Sequence, residues 1–341
     1  MALYPDPFLT TNIYCAGLLD RAIHDVAAPF WRELREQAPG FDGYLWVMRY
    51  GKAGEHLKVR LHGSAETEPL ARRLLTERAE SFLSSLTTPA EPPKKQGWVG
   101  APPIDDVDDT ATDHPDRTFQ WTTYGRSHVS LGGKPFLLDD QYRALMTRCL
   151  AQGCEMVLPL ETDAKGLFPH RVRQSTLLKA LIGGIAALGF PPERRAEYLA
   201  YHRDWLLRFI LPKDRRSEAE PVQQFIQIFN DRLPGMAGSV SSLRQVALVQ
   251  WTGGEQAVAD GPGAGWRRSL SDLLQYIRPF CSDPDYQLDP FATDPAFSPV
   301  FKVFHGLANQ LGLNLADEGF AHHLLLAATA GESVPVGAET P

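Results

Sequence analysis

The sequence predicts an α+β fold, in which a ferredoxin-like β-α-β-β-α-β part precedes a largely helical C-terminal half. Three observations predict it: the order of helical and alternating patterns before residue 125, a β-hairpin near residue 50, and helical periodicity from residue 139 onward. The 341 residues are 43% hydrophobic and 22% charged, which is the composition of a globular protein.

The first strand, the first helix and a hairpin follow from local patterns. Thr11 to Ala16 resembles a short strand, and Leu18 to Gln37 has apolar residues at the spacing of an amphipathic helix. Two strand-like runs, Tyr44 to Tyr50 and His56 to His62, flank the turn sequence GKAGE. Because glycine tolerates the positive φ that tight turns require, this segment predicts a hairpin.

A second helix and a last strand complete the predicted part, which spans residues 1–125. The helix covers Thr67 to Leu86 and the strand covers Phe119 to Tyr124. Residues 87–116 between them are rich in Pro, Asp and Thr and predict a mobile loop. The small and polar tail, 331–341, predicts disorder.

The second half, residues 139–330, is predicted to be helical. Its helices are expected at 139–152, 171–189, 193–211, 221–232, 239–251, 266–278, 298–311 and 317–329. We expect the two halves to form one unit over residues 1–330.

Charge and cysteine content exclude several classes of protein. A net charge of −7 argues against a nucleic-acid-binding protein, which needs a concentrated basic face. The N-terminus lacks the pattern of a signal peptide, and no apolar run is long enough to span a membrane, so we expect a soluble, cytoplasmic protein. The four cysteines form no C-x-x-C pair and are too sparse for a disulfide scaffold.

Motifs for common cofactor and metal chemistries are missing or incomplete. Gly133-Lys134 resembles the end of a phosphate-binding loop, but His128 occupies the position of the glycine that this motif requires. The sequence has no G-x-S-x-G elbow and no H-E-x-x-H helix, and the adjacent His322-His323 cannot present both rings to one ligand on a helix. We therefore expect no cofactor and no metal, and chemistry that depends on positioned acids, bases and hydrogen-bond donors.

Two segments resemble a known family. LWVMRYGKAGEHLKVRL, from Leu45 to Leu61, resembles the hairpin F-x-x-R-Y-x-D-P-x-x-H-[IL]-R-[IL]-R-[FL] of the small elimination domain of class I lantibiotic dehydratases. FKVFHGLANQLGL, from Phe301 to Leu313, resembles that family's late helix, with His305 at the H-x-x-x-N-x-L-G position. The resemblance implies a lantibiotic-dehydratase elimination-domain-like fold over most of the chain.

In that family, two hairpin arginines and the late-helix histidine remove glutamate from glutamylated Ser/Thr. The resemblance places Lys58, Arg60 and His305 at those three positions. Lysine lacks the planar fork that binds a carboxylate bidentately, so the departure at Lys58 disfavours glutamate elimination. It favours the stand-alone branch that resembles thiopeptide pyridine synthases, and the lack of a fused glutamylation domain agrees.

This resemblance implies a cofactor-independent formal aza-[4+2] cycloaddition of two dehydroalanines, with loss of water and of the leader peptide. The partners it implies are a modified precursor peptide and other pathway enzymes, and it also suggests a homodimer. Two alternatives stay open: a glutamate-eliminating lyase of a split dehydratase, and a non-catalytic scaffold that binds the precursor peptide.

Each candidate residue also has a purely structural interpretation. His305 lies on an apolar helix face, where a histidine is either a core residue or a proton-transfer group. Lys58 and Arg60 lie on a strand face that is either solvated or binds substrate, and Arg49 and Tyr50 could join them. The remaining catalytic candidates are Tyr276 and Tyr286, which flank a proline-rich turn and could relay protons. The paired arginines, such as Arg171 and Arg173, are expected on solvated helix faces.

Overall fold

A computed structural model describes residues 4–50, 55–87, 115–122, 139–252, 262–281, 294 and 296–330. Four strands form one antiparallel sheet in the order β2-β3-β1-β4. The strands are β1 (Leu9–Tyr14), β2 (Tyr44–Tyr50), β3 (His56–His62) and β4 (Thr118–Thr122). This order is that of a ferredoxin-like sheet, so the predicted α+β architecture is confirmed.

The helices of this part are α1 (Leu19–Ala22), α2 (Ala28–Gln37) and α3 (Glu68–Ser84). A π-helical turn, Ile23–Ala27, joins α1 to α2, so the single helix expected from the sequence contains a local widening. Strand β1 begins two residues before its expected start because Leu9 pairs with Leu61. The loop predicted over 87–116 and the tail 331–341 lie largely or wholly outside the described residues.

The second half is helical, as expected. Its helices are α4 (Asp140–Val157), α5 (His170–Leu188), α6 (Pro192–Ile210), α7 (Glu220–Arg232), α8 (Ala237–Thr252), α9 (Pro262–Cys281), α10 (Phe297–Leu311) and α11 (Leu315–Thr329). Helix α4 ends five residues later than predicted, and the added turn buries Cys154 and Val157 in the core.

Helix α10 lies at the centre of this half. All but one of its residues are buried, because the sequence FSPVFKVFHGLANQL is apolar around most of its circumference. Glycines allow the close packing. A Cβ at Gly306 would lie 2.3 Å from Leu150 Cδ2 on α4, and one at Gly184 on α5 would lie 2.6 Å from Phe304 Cζ.

One contiguous hydrophobic cluster includes side chains of the sheet and of the helical half, among them Val47, Leu150 and Leu307. That the whole of 1–330 acts as a single unit stays a prediction. In the described part of the chain, none of the helices combines the length and hydrophobicity needed to cross a bilayer.

The glycine at position 184 offers a test of the packing around α10. We expect Gly184→Ala to be less stable than Gly183→Ala by about 1–3 kcal/mol, because the new methyl overlaps the Phe304 ring. Both substitutions add the same helix propensity, and a Cβ at Gly183 meets two flexible side chains at ordinary distances, Arg267 at 3.4 Å and Gln250 at 3.7 Å. Urea unfolding of both variants measures the difference, and equal stabilities would contradict the packing described.

Candidate active site

The polar face of strand β3 is buried. His56, Lys58, Arg60 and His62 alternate with Leu57, Val59 and Leu61, as the period of a strand requires. Lys58 is 3% exposed and Arg60 is 1% exposed, so the interpretation of this face as a solvated surface is wrong. Burying charged groups is costly unless they are paired or hydrogen-bonded. A buried face with two cationic side chains is therefore a candidate binding site.

Residues of the neighbouring strands line the same face. The register places Lys58 between Asn12 and Met48, and Arg60 between Thr10 and Trp46. The Arg60 guanidinium lies 4.8 Å from the centre of the Trp46 ring, within range of a cation–π interaction. The common face of Lys58 and Arg60 was predicted from strand alternation, whereas the aromatic and amide groups beside them were not.

His62 is fixed in one neutral form at the end of this face. Its Nε2 accepts a hydrogen bond from Trp46 Nε1 at 2.9 Å, and its Nδ1 lies 3.2 Å from the carbonyl oxygen of Tyr4. Burial lowers the pKa of His62 to about 3, and the nearby Arg60 charge acts in the same direction. His62 is therefore uncharged at neutral pH and orients Trp46 under Arg60.

A side-chain amide fastens α10 to strand β2. Asn309 Oδ1 accepts from the Arg49 backbone N–H at 2.9 Å, and Asn309 Nδ2 donates to the Arg49 carbonyl at 3.1 Å. Arg49 pairs with Leu57, the residue before Lys58 on β3. His305 lies four residues, about 6 Å along the helix axis, before Asn309. The contact therefore sets the helix of His305 against the strands of Lys58 and Arg60.

The Arg49 side chain takes part in a buried ion cluster with Asp20 and Arg173. Arg49 Nη2 lies 2.6 Å from Asp20 Oδ1, and Arg173 Nη2 bonds to Asp20 Oδ2. Arg49 Nε also donates to the Gln310 carbonyl at 2.9 Å, while Arg173 Nη1 donates to the Gly312 carbonyl at 3.0 Å. Arg173 is thus largely covered, with its side chain 14% exposed, and does not lie on a solvated face, which corrects that expectation. Arg49 holds the C-terminal end of α10.

His305 forms a buried pair with a carboxylate. Its Nδ1 lies 2.8 Å from Glu318 Oε2 on α11, and the two residues are 7% and 1% exposed. The Phe301 ring stacks parallel to the imidazole, with centroids 5.6 Å apart and planes at 4°. The imidazole is thereby held by a hydrogen bond at one edge and by an aromatic ring on its face.

Two further histidines lie beside this pair. His202 Nδ1 and His322 Nε2 are 3.1 Å apart, and His322 Nδ1 donates to the Glu318 carbonyl at 2.9 Å. Burial lowers the pKa of His202 well below its usual value and also lowers the pKa of His322. Both rings are therefore neutral at pH 7 and link α6 to α11.

The remaining predicted residues lie elsewhere or outside the described part. Tyr276 on α9 donates its hydroxyl to Asp139, which caps α4 by accepting the Tyr142 N–H at 2.6 Å. Burial and this hydrogen bond raise the pKa of Tyr276. Tyr286 and the side chain of Tyr50 lie outside the described residues, so the roles of these tyrosines stay predictions.

Glu318 and Asn309 were not identified as site residues from the sequence, although the position of Glu318 in its helix indicates a buried acid. Glu318 is three and seven residues before Ala321 and Leu325, so it lies on the apolar face of its predicted helix. An acid in such a position needs a buried partner.

Over the residues the structure describes, no group of three or more His, Cys, Asp or Glu side chains is arranged to hold a metal ion.

The family model described as the lantibiotic biosynthesis dehydratase C-terminal domain matches residues 9–329. The chain therefore belongs to this family. Its fold is similar to that of TbtD, the pyridine synthase from thiomuracin biosynthesis, with 17% identity and a TM-score of 0.58. That similarity covers 95% of this chain and 98% of TbtD.

Two other solved structures are similar. TsrL shares 15% identity at a TM-score of 0.54, over 94% of this chain and 93% of its own. MibB, a tRNA-dependent lantibiotic dehydratase from Microbispora sp. 107891, shares 14% identity at a TM-score of 0.48, over 95% of this chain and 28% of MibB. No curated protein matches the sequence. At these identities the similarities to TbtD and TsrL establish the fold alone.

Removing the carboxylate of the ion cluster tests its contribution to stability. We expect Asp20→Asn to lower the free energy of unfolding by about 3–5 kcal/mol, because two largely covered guanidinium groups then lose the buried carboxylate that pairs with them. Asp25→Asn is the control, since Asp25 is 35% exposed and its ion pair with Arg21 lies at the surface. That change should cost about 1 kcal/mol or less. Urea denaturation compares them, and a similar small loss for both would contradict the role of Asp20.

The buried histidines predict acid sensitivity. His62 and His323 have pKa values lowered to about 3 and about 4, mainly by burial, whereas unfolded histidine titrates near 6.5. The unfolded chain therefore binds protons first as the pH falls. The free energy of unfolding should be highest above about pH 6.5. Below that pH it should decline by up to about 1.4 kcal/mol per pH unit for each such group.

Unfolding by urea between pH 7.5 and 5 measures this slope. His62→Gln should reduce it by the contribution of one proton, whereas His170→Gln, at a site whose side chain is 59% exposed, should leave it unchanged. A slope that is the same in wild type and His62→Gln would contradict the assignment.

Proposed function

We propose that this chain is a pyridine synthase. Its substrate would be a linear thiopeptide precursor that carries two dehydroalanines, a leader peptide and an azole-bearing core. The reaction is a formal aza-[4+2] cycloaddition, followed by loss of water and elimination of the leader to leave a macrocycle closed through a pyridine.

The observation that carries the proposal is the correspondence with TbtD over nearly the whole of both chains. Family membership over residues 9–329 supports a role in the modification of ribosomally made peptides. Lys58 adds a local argument, because it stands where the family's eliminating members have the first arginine and it cannot bind a carboxylate bidentately.

The proposed chemistry balances without a redox step. One dehydroalanine amide moves a proton from nitrogen to its carbonyl oxygen and becomes a 2-azadiene. Two bonds then form between this diene and the second alkene. Water leaves with the former carbonyl oxygen, and the leader leaves as its carboxamide, so that the ring becomes aromatic. Proton transfers occur at each stage, and the enzyme must supply them.

Two contributions are required of the protein. The first is to bring two alkenes of a flexible peptide together, a positioning effect worth roughly 7–11 kcal/mol in favourable intramolecular cases. The buried polar face with Lys58 and Arg60 is suited to bind peptide carbonyl groups and to stabilise developing negative charge. The second is acid–base help at the amide, which we assign to His305. Tyr276 and Tyr286 remain candidates for proton relay.

The partners follow from the same proposal. The modified precursor peptide is the substrate, and the enzymes that install dehydroalanines and azoles would act before this one. Arg49 and Tyr50 end the strand beside Lys58. We assign Arg49 to the support of that end of the site, since its guanidinium binds Asp20. A homodimer stays part of the proposal.

A reconstitution tests this function. Purified protein, with no added cofactor, is incubated with an azole-bearing linear peptide that contains two dehydroalanines. We expect mass spectrometry to detect the leader carboxamide and a core lighter by that leader and water, together with pyridine absorbance. His305→Asn should lower kcat by about 10²–10⁴-fold with little change in KM, because it removes the acid–base group.

His170→Asn is the matched control, since it replaces a histidine whose side chain is 59% exposed and should leave kcat unchanged. Turnover of a glutamylated peptide, with no product from the dehydroalanine peptide, would identify a glutamate lyase instead. Tight binding of the peptide without any product would favour a scaffold that only holds the precursor.

A further inference from the structure

Glu318 lies where a carboxylate can control the His305 imidazole. It is on a different helix from His305, yet its Oε2 reaches Nδ1 at 2.8 Å. With 1% exposure it is shielded from water, so the contact is not one of the weak ion pairs of the surface. A carboxylate oxygen can only accept a hydrogen bond, so an ionised Glu318 requires that Nδ1 carry a proton.

Glu318 lies at the N-terminal end of α11. Asn314 caps the helix by accepting the Asp317 N–H at 2.9 Å, and the Glu318 N–H donates to the Asn314 carbonyl at 3.0 Å. Glu318 therefore belongs to the first turn of α11, where the unpaired N–H groups and the helix dipole stabilise anions. The glutamate is thus supported by its helix as well as by the imidazole.

The other titratable groups that face the pair do not replace Glu318. His202 and Tyr198 approach from α6, and His322 approaches from α11. Burial lowers the pKa of both histidines and raises the pKa of Tyr198 well above its usual value, so all three are neutral at pH 7. None of them supplies a negative charge to His305.

We propose that Glu318 is a positioning residue, which holds His305 with Nδ1 protonated and leaves Nε2 as the nitrogen that exchanges protons with the peptide. The assignment of His305 to proton transfer rests on the proposed function, whereas the orientation by Glu318 does not. A buried carboxylate that fixes the tautomer and plane of a reacting histidine is a well-established arrangement. Here the Phe301 ring, stacked on the imidazole, fixes the plane from the other side.

Three variants test this assignment. Glu318→Leu removes the acceptor, while Glu318→Gln keeps an acceptor oxygen of the same reach without the charge. Asp317→Asn is the matched control, because it removes a carboxylate from the same helical turn, one that is 30% exposed and faces His170. It should leave both the His305 tautomer and kcat as in the wild type.

Two measurements are made on each variant. Nitrogen-15 NMR of the histidine rings, assigned with His305→Asn, reports which nitrogen carries the proton. We expect the Nδ1–H form in the wild type, its loss in Glu318→Leu and its retention in Glu318→Gln. In the dehydroalanine-peptide assay, kcat should fall by about 10²–10⁴-fold in Glu318→Leu with KM little changed, and Glu318→Gln should recover part of that loss.

A wild-type tautomer or a wild-type kcat in Glu318→Leu would overturn the proposal. If Glu318→Leu does not fold, the NMR spectrum of the wild type decides, since a His305 protonated at Nε2 is incompatible with an ionised Glu318 at Nδ1. If the wild type makes no pyridine, the proposed function fails, yet the tautomers of the folded variants still show whether Glu318 orients His305.

Discussion

The Asn309 side-chain amide fastens the helical half to the edge of the sheet. Strand β2 is at the edge of the sheet, and its Arg49 residue has a backbone N–H and C=O that the Asn309 amide satisfies together. The amide thus takes the place of a neighbouring strand, which leaves these buried backbone groups paired. Since Asn309 and His305 are one turn apart on a buried helix, this contact also determines where the imidazole lies relative to the hairpin.

The end of α10 shows why the neighbouring motif residues accompany Asn309. Gly312 has φ +70 and ends the helix in a left-handed conformation, with the Gly312 N–H bonded to Asn309 and the Leu313 N–H bonded to Ala308. A Cβ there would lie 2.6 Å from Arg173 Nη1 and 2.9 Å from Arg49 Cζ. The glycine thus allows two guanidinium groups to reach the carbonyls that the helix end leaves exposed. The N-x-L-G part of the motif attaches the end of α10 to the sheet and to the ion cluster. It contributes to the position of His305, which lies one turn earlier on the same helix.

The elements of the fold could be predicted because they depend on local patterns. Strand alternation in HLKVRLH predicted both the second strand of the hairpin and the shared face of Lys58 and Arg60. Helical periodicity, interrupted by short connecting segments, predicted the helices and their order. The partners of the site residues depend on contacts between distant positions. Asp20 meets Arg173 from 153 residues away, and His202 meets His322 from 120. No local periodicity specifies such pairs, which is why Arg173 was expected on a solvated face.

Burial of a histidine does not by itself distinguish a core residue from a reactive one, and the three buried histidines of this cluster differ in their hydrogen-bond partners. His202 and His322 bond to each other and to a backbone carbonyl, so each is stable only when neutral, and protonation would place an uncompensated charge in the interior. The Nδ1 of His305 instead faces a carboxylate oxygen of Glu318 at 2.8 Å. A proton-transfer group must be able to exist in both states. The proposed role of His305 in proton transfer therefore depends on this partner and not on the depth of burial.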